Sequence, residues 1–279
     1  MYRQSQRAFL LTNLVFAAVL LFTARAAGAQ SFSASHAKVS LVAEQPALEP
    51  GRPATIGVLF DLEKGWHIYW VNPGDSGEPP RLQWQLPAGF KAGEIRWPTP
   101  ARLALGTVTD YGYEGRVLLP LPLTVPATYK AGSPVPIGVD ISYLICRDVC
   151  IPAKVHAALR LPETDISGSQ AATHALFATA QSESPKPMPA TWKAQLSDEG
   201  KNFVLTLQTG MQETKAAFFP LDEDQIDNAA PQAAVPSGTG VKLTLKKSDQ
   251  LEKPIAKLRG VVVLGPGRAF EISVLVPHR

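Results

Sequence analysis

Two cysteines four positions apart constrain the fold of this chain more than any other feature of its sequence. Cys146 and Cys150 are the only cysteines among 279 residues. In a continuous strand their Cα atoms would lie roughly 13 Å apart, which is too far for a disulfide. If residues 147–149 form a hairpin loop, the two cysteines become cross-strand neighbours about 4.5–5.5 Å apart and can be joined. The β-branched and aromatic residues on both sides of the pair favour this hairpin.

Three chemical roles are open to the pair, namely a redox-active disulfide, a structural disulfide and a pair of metal ligands. A structural disulfide around so short a loop would constrain the unfolded chain little. An exposed loop would let an incoming thiolate reach a sulfur. Two thiolates are too few for a closed zinc site, although they can bind Cu(I). Arg147 would lower the pKa of a neighbouring thiol, and Asp148 would oppose that effect.

The N-terminus predicts export. Arg3 and Arg7 precede an apolar stretch from Ala8 to Phe22, and Ala27-Gly28-Ala29 follows as a cleavage site of small residues. This pattern is typical of a secretory signal peptide, here residues 1–29. We expect cleavage because the apolar run is short for a membrane span, and no later segment approaches about 18 uninterrupted apolar residues. The mature chain is therefore expected not to span a membrane and to reach an oxidising compartment, which permits a disulfide.

The charge of the expected mature chain excludes some classes of partner. The whole sequence has 27 basic and 24 acidic residues, and residues 1–29 contain three arginines and no acidic residue. Removing that segment leaves 24 basic and 24 acidic residues. A chain with this balance is not expected to bind nucleic acid or a strongly charged membrane surface.

Two blocks of short strand-like runs predict an all-β fold with two immunoglobulin-like β-sandwich domains, joined by a linker with a short helix. We place the domains at residues 30–163 and 191–279, and the linker at 164–190. The helix is expected over Gln170–Gln181, which has good helix formers and neither glycine nor proline. Strands are expected in the first block at Ala37–Ala43, Ala54–Phe60, Trp66–Val71, Arg81–Leu86, Arg116–Val125, Val135–Ile145 and Lys154–Leu161. In the second block, Asp222–Pro236 is interpreted as a surface loop.

The segment from Gly65 to Pro80 is the second distinctive part of the sequence. In a strand, Trp66, Ile68 and Trp70 share one face, which we interpret as core, and His67 and Tyr69 share the other. Ser76 lacks the Gly-x-Ser-x-Gly context of a hydrolase nucleophile, so a catalytic triad is not expected. We interpret His67 as a hydrogen-bonded strand residue and a candidate modulator of the thiols.

A third segment, Asp110-Tyr111-Gly112-Tyr113-Glu114-Gly115, is aromatic and flanked by glycine. It is interpreted as a loop with two alternative roles. It could be a hairpin turn whose tyrosines pack, or a mobile flap over the thiols. The sequence alone does not choose between them, because the distance to Cys146 depends on the fold.

Taken together, four segments resemble the N-terminal periplasmic domain of the DsbD-type protein-disulfide reductases, and especially the ScsB-like proteins associated with copper tolerance. The segments are Gly65–Trp70, Asn72–Gly77, Trp97-Pro98 and Tyr143–Pro152. The resemblance covers roughly residues 35–162. It implies an immunoglobulin-like domain whose cysteine pair takes electrons from a membrane domain and passes them to periplasmic thioredoxin-like proteins. It also implies a flexible aromatic cap loop over the pair, for which Asp110, Tyr111 and Tyr113 are the candidates.

This sequence departs from the family in lacking the multi-span membrane domain and the C-terminal thioredoxin-like domain, so a complete reductase is not expected. Together with the resemblance, this predicts a standalone secreted protein in the periplasm that exchanges electrons through Cys146 and Cys150 and needs no cofactor. Its expected partners are a separately encoded membrane-embedded electron donor and periplasmic thioredoxin-like proteins. Of the two cysteines, we expect Cys150 to be the resolving one. The alternative is a non-catalytic β-sandwich binding module that could handle copper and whose disulfide is static.

Overall fold

The protein is described from a computed structural model covering residues 31–34, 36–162 and 170–277, with side chains from residue 36 onward. The predicted signal peptide, residues 1–29, lies outside these residues. The predicted fold class is confirmed, because the described chain forms four β-sheets and one short helix. The strands of the first domain are β1 Ser31–Ala34, β2 Ala37–Ala43, β3 Ala54–Leu62, β4 His67–Gly74, β5 Arg81–Gln85, β6 Lys91–Ala92, β7 Ala101–Leu105, β8 Val108–Glu114, β9 Arg116–Thr124, β10 Val135–Cys146 and β11 Cys150–Leu161.

Two antiparallel sheets form the sandwich of the first domain. One sheet has the strand order β1-β2-β3-β9-β6. The other has the order β11-β10-β4-β8-β7, with β5 paired to β10. Alternate residues of the strands point between the sheets, as a half-buried strand requires. The core they fill includes Val39, Leu41, Ile56, Val58, Phe60, Ile137, Val139, Ile141, Tyr143 and Ile145, all buried.

The hairpin of β10 and β11 is the longest pairing in the first domain. Its two strands are antiparallel and in register over 12 residue pairs, from Val135 with Leu161 to Cys146 with Cys150. The buried aliphatic residues of β10 set this register, because a shift by one position would turn them toward solvent. The hairpin therefore places both cysteines at one end of the sandwich.

One helix, α1, is present among the described residues and lies between the strands of the two domains. It spans Gln170–Glu183, close to the predicted Gln170–Gln181. Phe177 and Ala180 are buried against Leu118 of β9, on the outer face of the first sheet. The backbone carbonyl of Glu183 accepts hydrogen bonds from the amide and hydroxyl of Thr99. The end of the helix is thus attached to the first domain.

The second domain is a smaller sandwich of two four-stranded sheets. Its strands are β12 Lys186–Pro187, β13 Lys193–Glu199, β14 Asn202–Gln208, β15 Ala217–Pro220, β16 Ala233–Pro236, β17 Gly240–Lys246, β18 Lys257–Val263 and β19 Ala269–Leu275. One sheet has the order β12-β19-β18-β15 and the other β13-β14-β17-β16. The core of this domain includes Phe203, Leu205, Leu207, Phe218, Leu243 and Leu258.

The two domains pack against each other through side chains that belong to one continuous core. Phe219 of β15, with Val261 and Ala269, joins the core of the first domain. The ring of Phe219 lies edge-on to Trp70 and Tyr111, with ring centroids 6.4 Å and 5.3 Å away. The predicted surface loop Asp222–Pro236 is a loop up to Gln232, but it contributes to this contact and ends in strand β16, so the interpretation was only partly right. Its polar composition reflects hydrogen bonds to the first domain rather than exposure to solvent alone.

Candidate active site

The two cysteines form a disulfide at the end of the β10–β11 hairpin. Cys146 closes β10, Cys150 opens β11, and their Cα atoms are 4.1 Å apart. The amide of Arg147 donates a hydrogen bond to the carbonyl of Val149 across the loop, at 3.1 Å. The hairpin geometry expected from the four-residue spacing is therefore present.

The two sulfur-bearing residues differ in their exposure. Cys146 is only 1% exposed and belongs to the buried interior of the first domain. Cys150 is exposed, as are the three loop residues that precede it, and Val149 at the tip is 62% exposed. An external thiol or disulfide can therefore approach Cys150, whereas Cys146 is shielded by the sandwich.

Strand β4 supplies the immediate neighbours of the disulfide. His67 pairs with Cys146 in the sheet. The hydroxyl of Tyr69 lies 3.4 Å from the Sγ of Cys150. Because a disulfide sulfur carries no proton, Tyr69 is the donor of this contact. The rings of His67 and Tyr69 pack edge-on, with centroids 5.2 Å apart, so the two side chains lie together beside the disulfide.

Asp110 provides a buried carboxyl group next to His67. Asp110 is fully buried, and its Oδ2 lies 3.9 Å from the Nε2 of His67. Burial raises the pKa of Asp110, and hydrogen bonds from Ser76 partly offset this shift. Burial lowers the pKa of His67, although Asp110 and Glu114 act in the opposite direction. Burial, with Asp110, also raises the pKa of Tyr69, so its hydroxyl is protonated at neutral pH and can donate.

The segment Asp75–Gly77, directly after β4, packs on Asp110 and Tyr69. We call the disulfide, His67, Tyr69, Ser76 and Asp110 together the disulfide cluster. Ser76 donates hydrogen bonds to the Asp110 carboxylate from its amide, at 3.0 Å, and from its hydroxyl, at 2.9 and 3.0 Å. Gly77 has a φ of 85° and lies directly on the ring of Tyr69. A Cβ at position 77 would fall 2.2 Å from a ring carbon, so only glycine allows this close approach. The segment thereby fixes the orientation of Tyr69.

The tip of the hairpin is attached to the body of the domain by Arg147. Its guanidinium lies over the ring of Trp66, 5.0 Å from the centroid, in cation–π geometry. His36 stacks on Trp66 with a centroid separation of 3.9 Å. Asp148 is exposed and forms an ion pair with the neighbouring Arg147 at 2.9 Å. Asp148 therefore lies in the exposed loop between the cysteines and contacts Arg147.

The interpretation of Asp110–Gly115 as a loop was wrong. Residues 108–114 form strand β8, and its positions 109–113 are all buried. Tyr111 packs against Trp70 and Phe219, and the hydroxyl of Tyr113 donates to the carbonyl of Pro98 at 2.7 Å. Pairing of β8 with both β4 and β7 satisfies its backbone and excludes a flap. Asp110 reaches the disulfide cluster, whereas Tyr111 and Tyr113 are core residues on the other side of the strand.

Two residues of the cluster were not among the predicted site residues, namely Tyr69 and Ser76. A signal for Tyr69 existed, because it shares a strand face with His67. None existed for Ser76, since its contact with Asp110 joins residues 34 positions apart. Within the part of the chain that the structure describes, no three His, Cys, Asp or Glu side chains cluster as a metal site would require. In the same residues, no helix is both long and apolar enough to cross a bilayer.

Comparison with known proteins supports the family resemblance. Residues 38–162 match the family described as thiol:disulfide interchange protein DsbD, N-terminal. No curated protein matches the chain. Among solved structures, the chain is similar to the N-terminal periplasmic domain of ScsB from Proteus mirabilis, with a TM-score of 0.68 and 16% identity. That match covers 90% of this chain and 98% of the other, so the shared fold includes both sandwiches.

Proposed function

We propose, because residues 38–162 match the DsbD N-terminal family and contain an accessible disulfide, that this protein is a periplasmic thiol–disulfide exchange protein. It passes reducing equivalents from a membrane-embedded dithiol donor to periplasmic thioredoxin-like proteins through Cys146 and Cys150. The observation that carries the proposal is the asymmetry of the pair. One sulfur belongs to an exposed residue at a hairpin tip and the other to a buried residue behind it.

The stability that the disulfide provides lies near the lower end of the usual range and adds to a hairpin whose strands are already paired. Eleven other residue pairs already hold β10 and β11 in register. In the chain-entropy model, a loop of five residues gains about 2 kcal/mol from cross-linking, near the lower end for disulfides. A disulfide kept for stability would be expected to close a longer loop. This argument favours exchange over a static role.

From the exposure of the two cysteines we propose an order of reaction that is the reverse of the order expected from sequence. In the reduced protein, the Cys150 thiolate attacks one sulfur of a partner disulfide and forms a mixed disulfide. The partner's other sulfur leaves as a thiolate and takes up a proton. Cys146 then loses its proton and attacks the Cys150 sulfur, which re-forms the internal disulfide and releases the partner as a dithiol. The partner gains two electrons and two protons, and the membrane donor restores them to this protein.

The residues beside Cys150 favour its thiolate form. The protonated hydroxyl of Tyr69, 3.4 Å from Sγ in the disulfide form, can donate a hydrogen bond to the thiolate. A hydrogen bond to the charged form lowers the pKa of a thiol. A lower pKa raises the fraction of thiolate available at neutral pH. The ring of His67 and the backbone of Gly77 pack against the ring of Tyr69 and keep it in place.

The order of attack is tested with single-cysteine variants and an aromatic disulfide reagent that releases a coloured thiolate. The reduced Cys146→Ser variant should release one equivalent rapidly and keep a mixed disulfide on Cys150. The reduced Cys150→Ser variant should react at least about tenfold more slowly, because its thiol is buried. The wild-type protein should release two equivalents and end as the internal disulfide. Equal rates for the two variants would contradict attack by Cys150.

A further inference from the structure

The segment Asp75–Gly77 lies between the disulfide cluster and the second domain. On one side Ser76 bonds Asp110 and Gly77 covers the ring of Tyr69. Any displacement of this segment would therefore move the group that contacts Cys150. Its position is set by the residue that begins it.

Asp75 is held by three hydrogen bonds, and one of them comes from the second domain. Its Oδ2 accepts from the amide of Thr109 at 2.6 Å, and its own amide donates to the carbonyl of Thr109 at 3.1 Å. Its Oδ1 accepts from the Nδ2 of Asn228 at 2.9 Å. The bond from Asn228 joins residues 153 positions apart. The second domain thus binds directly to the segment that covers Tyr69.

Asn228 is directed entirely toward the first domain. It is 8% exposed, and its Oδ1 accepts the hydroxyl proton of Tyr111 at 2.9 Å. Its backbone carbonyl accepts from the guanidinium of Arg102, which also donates to the carbonyl of Ala230 at 3.3 Å. Both polar ends of the Asn228 side chain therefore contact the first domain. An asparagine with these partners cannot rotate its amide without losing both bonds.

The loop that carries Asn228 is itself rigidly supported. Asp227 accepts from the amides of Ala229 and Ala230 at 3.1 and 3.0 Å and from the ammonium of Lys246 at 2.6 Å. The amide of Asp227 also donates to the carbonyl of Lys246 at 2.8 Å. The loop is thereby fixed to strand β17, so Asn228 is presented from a defined position.

A second contact holds the same end of β4. The Nδ2 of Asn72, a residue that is 1% exposed, donates to the carbonyl of Pro220 at 2.8 Å and to that of Asp222 at 3.3 Å. Its Oδ1 accepts from the amide of Gly74 at 2.9 Å. These bonds hold the backbone immediately before Asp75 against the second domain. The bonds of Asn72 hold the backbone that leads into the segment Asp75–Gly77, and the bond from Asn228 holds the side chain of Asp75.

We propose that the second domain is a structural part of the redox site and that Asn228 is its positioning residue. Asn228 holds Asp75, the segment from Asp75 to Gly77 holds Tyr69 and Asp110, and Tyr69 contacts Cys150. The inference rests on the proposed function for the reaction that this geometry serves. It gives the second sandwich a role in setting the reactivity of Cys150, although its own residues do not reach the sulfur.

Two substitutions separate the donor role of Asn228 from its role in filling space. Asn228→Ala removes both side-chain hydrogen bonds. Asn228→Asp keeps the shape and the acceptor for Tyr111 but places a carboxylate oxygen where the donor faced Asp75. The two carboxylates would repel each other. If the donor matters, Asn228→Asp should therefore impair the site at least as strongly as Asn228→Ala.

The test measures the pH profile for alkylation of Cys150 by iodoacetamide in the full chain with Cys146→Ser. We expect both Asn228 substitutions to raise the pKa of the Cys150 thiol and to slow alkylation at pH 7 by on the order of three- to tenfold, the effect of losing part of one hydrogen bond to a charged group. The matched control is Glu213→Gln, which breaks the ion pair between the buried Glu213 and the partly exposed Arg268 inside the second domain. It should lower the thermal unfolding temperature and leave the pH profile unchanged.

Three outcomes would decide the inference. A shift with both Asn228 variants but not with Glu213→Gln supports positioning, and Asn228→Ala alone decides if Asn228→Asp does not fold. A pH profile identical to that of the parent overturns it. An equal shift with Glu213→Gln also overturns it, because general loosening would then be the cause. Alkylation does not require exchange activity, so failure of the proposed function is judged separately by the reaction of the wild-type protein with the disulfide reagent.

Discussion

At the scale of single residues, the two cysteines have the same side chain but differ in exposure, since Cys146 is buried and Cys150 is exposed. Burial of Cys146 follows from its position in β10, opposite His67 of β4. Exposure of Cys150 follows from its position at the start of the edge strand β11. The sequence predicted the pairing from a four-residue spacing. It could not rank the two sulfurs, because their exposure depends on a strand that lies about 80 residues away.

Asp110 gives a pH-dependent prediction at the same scale. Burial raises its pKa in the folded protein above the usual value of an aspartate. The protonated form is therefore favoured by folding, and its contribution to stability is complete below the ordinary pKa and lost as pH rises through the raised pKa. Relative to Asp110→Asn, the wild-type protein should lose stability as pH increases over this range. Urea unfolding at a series of pH values measures the difference.

The control for this prediction is an aspartate with the opposite shift. A hydrogen bond from His156 lowers the pKa of the half-buried Asp140. Its contribution should be present above the ordinary pKa and lost as pH falls through the lowered one. Relative to Asp140→Asn, the wild-type protein should therefore lose stability as pH decreases. The same sign for both variants would contradict the assigned environment of Asp110.

At the scale of secondary-structure elements, the patterns of the sequence were informative where one strand face is buried. The alternating residues of β10 predicted its face and its hairpin partner, and strand β2 was predicted with its observed bounds, Ala37–Ala43. The segment Asp110–Gly115 was misinterpreted because its aspartate and its two glycines are typical of turns, although its two tyrosines are typical of strands. In the structure, Gly112 instead allows β8 to approach the backbone of Ile68 closely. A close approach of this kind is not visible in local composition.

The β10–β11 hairpin carries the next prediction. Because the register is held by eleven pairs besides the cysteines, reduction of the disulfide should leave the protein folded. The expected loss in the free energy of unfolding is at most about 2 kcal/mol. Urea unfolding of the oxidised and reduced forms measures this difference, and the Cys146→Ser, Cys150→Ser double variant serves as a control that cannot reoxidise. A loss large enough to unfold the reduced protein would show that the disulfide is structural.

At the scale of the whole molecule, two sandwiches and a connecting helix follow from the succession of short strands and the alanine-rich segment between them. The predicted domain boundaries remain predictions. The contact between the domains was missed, because Asp222–Pro236 is polar and proline-containing and reads as a surface loop. Its partners in the first domain lie more than 110 residues away in sequence. Such long-range polar contacts have no periodicity, so sequence patterns do not predict them.

The reduction potential of the Cys146–Cys150 pair tests the central claim most directly. The chain without the predicted signal peptide, residues 1–29, is equilibrated in dithiol buffers of known potential, and its free thiols are counted. An exchange protein should give a value between roughly −150 and −270 mV. A value below about −300 mV, typical of structural disulfides, would contradict the account and favour a binding module with a static disulfide.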